Sequence, residues 1–382
     1  YKLIKLFMSK ESFLFKLLDK NKGVLRLKPS FVARTLYAGL GRMGLKRYYV
    51  GRRGWICERW MGSSVSASGP TQIRNEGLSE LNVKGPRIFL MDAIRLLPER
   101  MLGDSYARAH NNRFGVLTKV LDIGYPIPFH LHAREEHARK YWSMNPKEEA
   151  YYFLEHPNIG PLPYSHLGLH PDTTPEDILP ILKRWNDDKI LDLSPAYRLN
   201  VGEGFHILAG VLHAPGTALT LEVQEESDVA SIFQAKVRRK ILPKEQFLLN
   251  GPKNEEEALE LVDWKTCTDP KFYRKYHITP ETIVEDKKVK ESWIFSPKRT
   301  RKFSGKEIRL TPGEKIKRSE KGAFLLFVWK GEGKINNFPF KGGNVNMDEM
   351  FVSYEAAKEH EIVNTGKNEL ICYKIFGPDV YS

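Results

Sequence analysis

The amino-acid sequence predicts a mainly β protein made of two all-β units, the first interrupted by a helical insertion. Three observations carry that expectation. At 382 residues the chain is long for one domain, so two are the default. Short apolar runs separated by Gly and Pro turns fill most of it, the pattern of sandwiches and barrels. With 41% apolar and 11% aromatic residues it can bury a substantial core, yet no run nears the ~20 apolar residues of a membrane-spanning helix.

Residues 1–44 read as a basic N-terminal segment. Residues 1–60 hold 15 Lys and Arg against the three acids Glu11, Asp19 and Glu58, while the remainder is nearly neutral, 45 against 44. A near-neutral body argues against a nucleic-acid footprint. Met8 is the expected start, and no secretory signal stands out. Phe13, Leu14, Leu17 and Leu18 recur at helical spacing, which predicts a solvated helix docking its apolar side on its own domain.

Residues 45–235 form the first unit. Its run from Arg87 carries a short helical pattern ended by Gly103, and strand-like runs such as GVLTKVLDIGYPIPFHLH follow. The helical insertion falls near 172–190, with Thr174 as N-cap, Pro175 just inside the start, and Ile178, Leu179, Leu182 and Trp185 on one face. Residues 236–291, rich in Lys, Glu and Pro, read as a helix-and-loop connector. Short strands resume over 292–382, which carry no H-x-H pair and are expected to be metal-free; only His360 stands at a related spacing. Cys57, Cys267 and Cys372 lie far apart without a CxxC pair, which fits a reducing, cytoplasmic setting.

Histidine placement carries the chemistry. After Gly124 and five intervening residues come His130, Leu131 and His132; on a strand, residues two apart share a face, so both imidazoles can reach one ion. Further on, Gly202, Gly210 and His213 fall in the pattern G-x5-x-x-G-x-x-H, with Leu208 where a proline is usual. The cupin jelly roll uses these two spacings to bring a third histidine onto the first pair. The expected fold is therefore a bicupin, two jelly-roll β-barrels with a helical insertion and connector. Three nitrogens plus a carboxylate suit zinc or another divalent transition metal. Two carboxylates compete for the fourth position: Glu136 in AREEH by general cupin spacing, and Glu149 in NPKEEAYYFL. His156, His166 and His170 sit in a Pro/Gly-rich stretch expected to line the pocket mouth, and Tyr151, Tyr152 and Phe153 are expected in the core.

The segments CERWMGS, GVLTKVLDIGYPIPFHLH, NPKEEAYYFL and AGVLHAPGTALTLEVQEESD resemble, in order, successive blocks of class I mannose-6-phosphate isomerase. That resemblance spans roughly residues 45–235. It implies metal ligands at His130 (the family's glutamine), His132, Glu149 and His213, so it favours Glu149 over Glu136. Glu149 also opens a strand, and rigid elements place ligands more reliably than polar loops. The resemblance further implies pocket-lining roles for Lys119, Glu58 and Asp228, and catalytic roles for Lys147 and Glu222. The implied reaction is aldose–ketose isomerisation, mannose 6-phosphate to fructose 6-phosphate, on a small-molecule sugar or sugar phosphate; the alternatives are an isomerase or epimerase of a different or unphosphorylated sugar and a non-catalytic sugar-binding cupin. Glu222 is the expected base; Lys147, beside a cation, is the expected shuttle for a hydroxyl proton. Several family positions differ. The phosphate-recognising arginine falls at Ser231 and Ile232, with Lys236, Arg238 and Arg239 downstream as either substitutes or surface charge. Pro215, Ser64 and Pro146 replace a tyrosine and two histidines.

Overall fold

The structure, a computed structural model, describes residues 9–45, 48–69 and 72–381. Met8, the expected start, lies outside them. The chain is mainly β. Its core is a stack of four antiparallel sheets, and the burial pattern of each strand shows why the layers form.

The N-terminal half builds two sheets. The inner one has seven strands in the order His277–Ile278, Gly204–Ile207, Glu149–Phe153, Thr220–Glu225, Val116–Leu121, Trp55–Met61 and Ser30–Arg34. The outer one has five: Ser231–Ile232, His130–Leu131, His213–Ala214, Tyr164–Leu167 and Ala196–Arg198. Tyr151, Phe153, Phe205 and Ile207 from the inner sheet share one apolar cluster with Leu131, Leu167, Ala214 and Ile232 from the outer. The C-terminal half repeats the plan with a seven-stranded sheet, which includes Ser304–Leu310, Phe324–Lys330 and Leu370–Phe376, and a four-stranded one, which includes His360–Asn364. The two seven-stranded sheets stand back to back. Val120, Ala150, Tyr152, Leu221 and Val223 of the first pack with Leu325, Phe327, Tyr373 and Ile375 of the second.

Alternation along each inner strand therefore sorts two functions. Residues 120, 150, 152, 221 and 223 face the neighbouring sandwich, and their neighbours 119, 149, 151 and 222 face the space between the inner and outer N-terminal sheets. Such strands are buried on both faces, so apolar alternation is interrupted by charged residues that a sequence reading would otherwise place in solvent.

The expected pair of barrels is corrected in one respect: the sheets remain separate and none closes on itself. The N-terminal helix forms at Lys10–Lys20, capped by Ser9, and docks through fully buried Leu14 and Leu18. Each such leucine contributes roughly 1.5–3 kcal/mol of transfer free energy. The insertion helix forms at Pro175–Arg184 with the Thr174–Asp177 capping box. Residues 24–26 cross to the C-terminal half, where Val24–Arg26 is the edge strand beside Glu349–Val352. No helix among the described residues is long and apolar enough to cross a membrane.

A charged contact joins the back-to-back sheets. Arg59 reaches Asp348 at 2.6 Å and Glu349 at 3.1 Å, all three buried. Burial raises the Glu349 carboxyl from 4.5 to about 7, with Asp348 adding to the shift and Arg59 opposing it. A carboxyl raised in the folded state favours folding fully below its unfolded value, and that contribution is lost as pH rises through about 7. Urea unfolding of Glu349→Gln should accordingly show a flatter decline in stability between pH 5 and 8 than the parent, by up to about 3 kcal/mol. Parallel pH profiles for the two proteins would refute this.

Candidate metal centre and adjoining cavity

His130 and His213 face each other in register on adjacent outer strands, and His132 follows one residue beyond its strand. The three rings cluster with centroids 4.1–5.2 Å apart, and one nitrogen from each lies within 4.8 Å of the others. Each ring is oriented from behind. Nδ1 of His130 lies 2.7 Å from the Pro128 carbonyl oxygen, that of His213 2.8 Å from Val211, and that of His132 2.9 Å from Val229. A carbonyl oxygen only accepts, so every Nδ1 carries a proton, and Nε2 is the atom of each ring left to coordinate an ion. Gly210 helps hold the motif: its φ of +88° suits glycine, and its N–H donates to the His132 carbonyl at 2.7 Å.

Glu149 opens the inner strand opposite and is fully buried. Its carboxylate stands 3.0 Å from His213 Nε2 and 3.1 Å from His132 Nε2. Lys147 Nζ lies 2.7 Å from that carboxylate and 2.8 Å from His132 Nε2. Tyr151, two residues along and so on the same face, donates its hydroxyl to Glu149. Glu136 is elsewhere: it sits on the helix Glu135–Trp142 with its side chain 66% exposed, beside Arg134 and His137. The structure thus brings Glu149, and not Glu136, to the three histidines.

These residues fit a divalent cation. Buried His213 Nε2 has no hydrogen-bond partner, although a carboxylate oxygen stands 3.0 Å away. Two lone-pair atoms facing each other without a proton between them form a donor set for a metal. Burial holds His130 well below the ordinary histidine value and His132 at about 4, with Lys147 adding to the latter, so both rings stay neutral. Burial alone would raise Glu149, but Lys147 and His132 outweigh it and keep the carboxyl well below its usual range.

A second row of charges adjoins. Glu222 pairs in register with Lys119 on one side and Tyr151 on the other. Its carboxylate is 3.4 Å from Lys119 Nζ and 3.8 Å from Lys147 Nζ. Burial pushes Glu222 up to about 7, with Lys119 pulling against the shift. Asp228 is 4.0 Å from Lys119 and 3.0 Å from Arg34. Glu58 accepts hydrogen bonds from Arg34 at 2.7 Å, Tyr37 at 2.8 Å and Trp60 at 2.8 Å. Arg34, Tyr37, Glu58, Lys119, Tyr151, Glu222 and Asp228 border one cavity of about 390 Å³ together with His130, His132 and Lys147.

Every residue assigned a site role from the sequence lies in or directly against this cavity. Three assignments of other segments need correction. His156, His166 and His170 do not line it; His166 is turned to the Ser194 carbonyl on the outer sheet. Nor do Lys236, Arg238 and Arg239, Arg238 instead stacking over Tyr125 at 4.9 Å. Tyr152 and Phe153 belong to the core, whereas Tyr151 is buried yet borders the cavity. Sequence reasoning missed Arg34, Tyr37 and Trp60. Trp60 lies two residues from Glu58 on one strand, a legible signal; Arg34 arrives from a distant edge strand, with none.

Stacked β sandwiches of this kind are also found in solved mannose-phosphate isomerases. The crystal structure of mannose 6-phosphate isomerase from Bacillus subtilis superposes with a TM-score of 0.66 at 16% identity, covering 92% of this chain and 99% of that one. A variant of phosphomannose isomerase from Salmonella typhimurium gives 0.66 at 14% identity, covering 93% and 100%. In sequence, the chain is 22% identical over 255 residues to mannose-6-phosphate isomerase ManA of Bacillus subtilis, 65% of this chain and 72% of that protein. No family profile matches the chain. The chain resembles the class I mannose-6-phosphate isomerases and has their fold.

Proposed function

We propose that this protein is a metal-dependent aldose–ketose isomerase of the kind that mannose-6-phosphate isomerases represent, working in the cytoplasm on a small-molecule sugar. The reading treats the two sandwiches as jelly rolls centred on residues 45–235 and 292–382, each completed by strands from outside those bounds, and the first holds the metal. One observation carries it: His130, His132, Lys147 and Glu222 line a single cavity, with His213 and the anionic Glu149 packed directly against them.

His130, His132, Glu149 and His213 would hold zinc or another divalent transition metal. When bound, such an ion withdraws electron density from a substrate oxygen and lowers the cost of negative charge there. Glu222 takes the proton from C2 of the open-chain aldose, leaving its electron pair to form the C1–C2 double bond. Lys147 donates a proton to O1 as the carbonyl becomes an enol. Lys147 then recovers the O2 proton, and Glu222 returns its proton to C1, giving the ketose with no net gain or loss of atoms. Lys119 and Tyr151 flank Glu222 in register and fix its position. Three buried, unpaired cysteines fit a reducing compartment.

Incubating the zinc-loaded protein with mannose and with mannose 6-phosphate in deuterium oxide tests this reading. Ketose carrying deuterium at C1 is expected from at least one of them. Absence of both ketose and exchange would remove the isomerase assignment.

A further inference from the structure

We infer that the cavity selects an unphosphorylated aldose, its far end being built for neutral hydroxyls and not for a phosphate. This rests on the isomerase reading above only in taking the cavity as the sugar site. The observation behind it is charge pairing. Among the described residues, Arg34, Lys119 and Lys147 are the cations that line the cavity, and each is already engaged. Arg34 Nε and Nη2 donate to Glu58 at 2.7 and 3.1 Å, Nη2 also reaches Asp228 at 3.0 Å, and Nη1 donates to the Ser68 carbonyl at 3.0 Å. Lys119 stands between Glu222 and Asp228, at 3.4 and 4.0 Å. Lys147 lies against Glu149 at 2.7 Å.

A phosphate dianion needs cations or N–H groups that are not already neutralised. Here Glu58, Asp228 and Glu222 border the cavity beside those cations, so an incoming dianion meets as many carboxylates as cations, and the cations are already paired. Its charge would have to break the Arg34 pairs, leaving two buried carboxylates without their partner. The rest of the lining adds no compensation. It includes Trp142, Phe247, Gln72, Gln246 and Asn250, and no further Lys or Arg among the described residues. Trp142 also ends the helix Glu135–Trp142, whose carbonyl terminus carries the partial negative charge of the dipole. Aromatic faces with amide groups, by contrast, match the C–H faces and hydroxyls of a neutral sugar. A metal's charge does not alter this balance, because its ligands lie at the end where C1 and C2 react, and the phosphate of a hexose 6-phosphate sits on the far carbon.

Binding can be read without turnover by using hexitols, which have no carbonyl to isomerise. Titration calorimetry of the zinc-loaded protein should show mannitol binding more tightly than mannitol 6-phosphate, by roughly tenfold or more. Tighter binding of the phosphate compound, equal binding, or binding of neither would overturn the inference. Asp228→Asn supplies a second reading. Removing that carboxylate takes one negative charge away from Arg34 and Lys119, so relative affinity should shift toward mannitol 6-phosphate. A loss that affects both hexitols equally would show Asp228 to be merely structural and count against the proposal. Neither result depends on ketose formation, so failure of the isomerase assignment and failure of the substrate class remain separable.

Discussion

Glu149→Gln is expected to leave the protein folded but nearly without metal, with affinity for zinc lowered more than roughly 100-fold, beyond what loss of an outer hydrogen-bond partner causes. The substitution keeps the shape of the side chain and removes the one anion facing both His132 and His213. Because Lys147 stays 2.8 Å from His132 Nε2, the variant also keeps an ammonium aimed at a ligand nitrogen with no carboxylate left to balance it, which disfavours a cation further. Glu136→Ala is the control. Its carboxylate is two-thirds exposed on a helix, so metal content should match the parent. Elemental analysis after purification without chelator decides the matter; metal kept in Glu149→Gln and lost in Glu136→Ala would reverse the assignment.

Glu222→Gln should do the opposite, retaining metal while kcat falls on the order of 10²–10⁴-fold, the usual contribution of a positioned base. Glu222 stands outside the histidine cluster yet within 3.8 Å of both lysines, so its amide analogue can keep the packing but cannot accept the C2 proton. Deuterium exchange at C2 should fall in parallel with turnover. A variant that loses metal along with activity would instead make Glu222 part of the metal's support, and a variant with near-normal turnover would leave the base unidentified.

The three histidines were legible because a two-residue spacing on a strand and a glycine-punctuated turn each have one geometric reading. The helix at Pro175–Arg184 was legible for a similar reason: Thr174, Pro175 and Asp177 form a complete local start signal. The fourth ligand was less so, since both glutamates lie in charged stretches, and what separates them is that one stretch runs into a strand buried on both faces. Layering was not legible at all. Strands such as Val116–Leu121 and Thr220–Glu225 are buried throughout their central residues, so Lys119 and Glu222 interrupt an apolar run without marking which side is solvent. Arg34 was missed because its meeting with Asp228, 194 positions away, depends on an edge strand whose sheet partner no local pattern announces.

The first described residues act as a strap. Within a dozen positions the chain supplies the edge strand of the C-terminal inner sheet at Val24–Arg26 and then the edge strand of the N-terminal inner sheet at Ser30–Arg34. The two halves are thus tied twice, once through the connector and once through this strap, so a cut in the connector alone leaves them held together. Trimming the N-terminal segment, by contrast, would uncover backbone donors and acceptors along both sheets in one stroke, the condition that invites edge-to-edge association. It would also take Arg34 out of the cavity, so a segment that looks like a dispensable basic leader carries an edge of both inner sheets and part of the cavity wall.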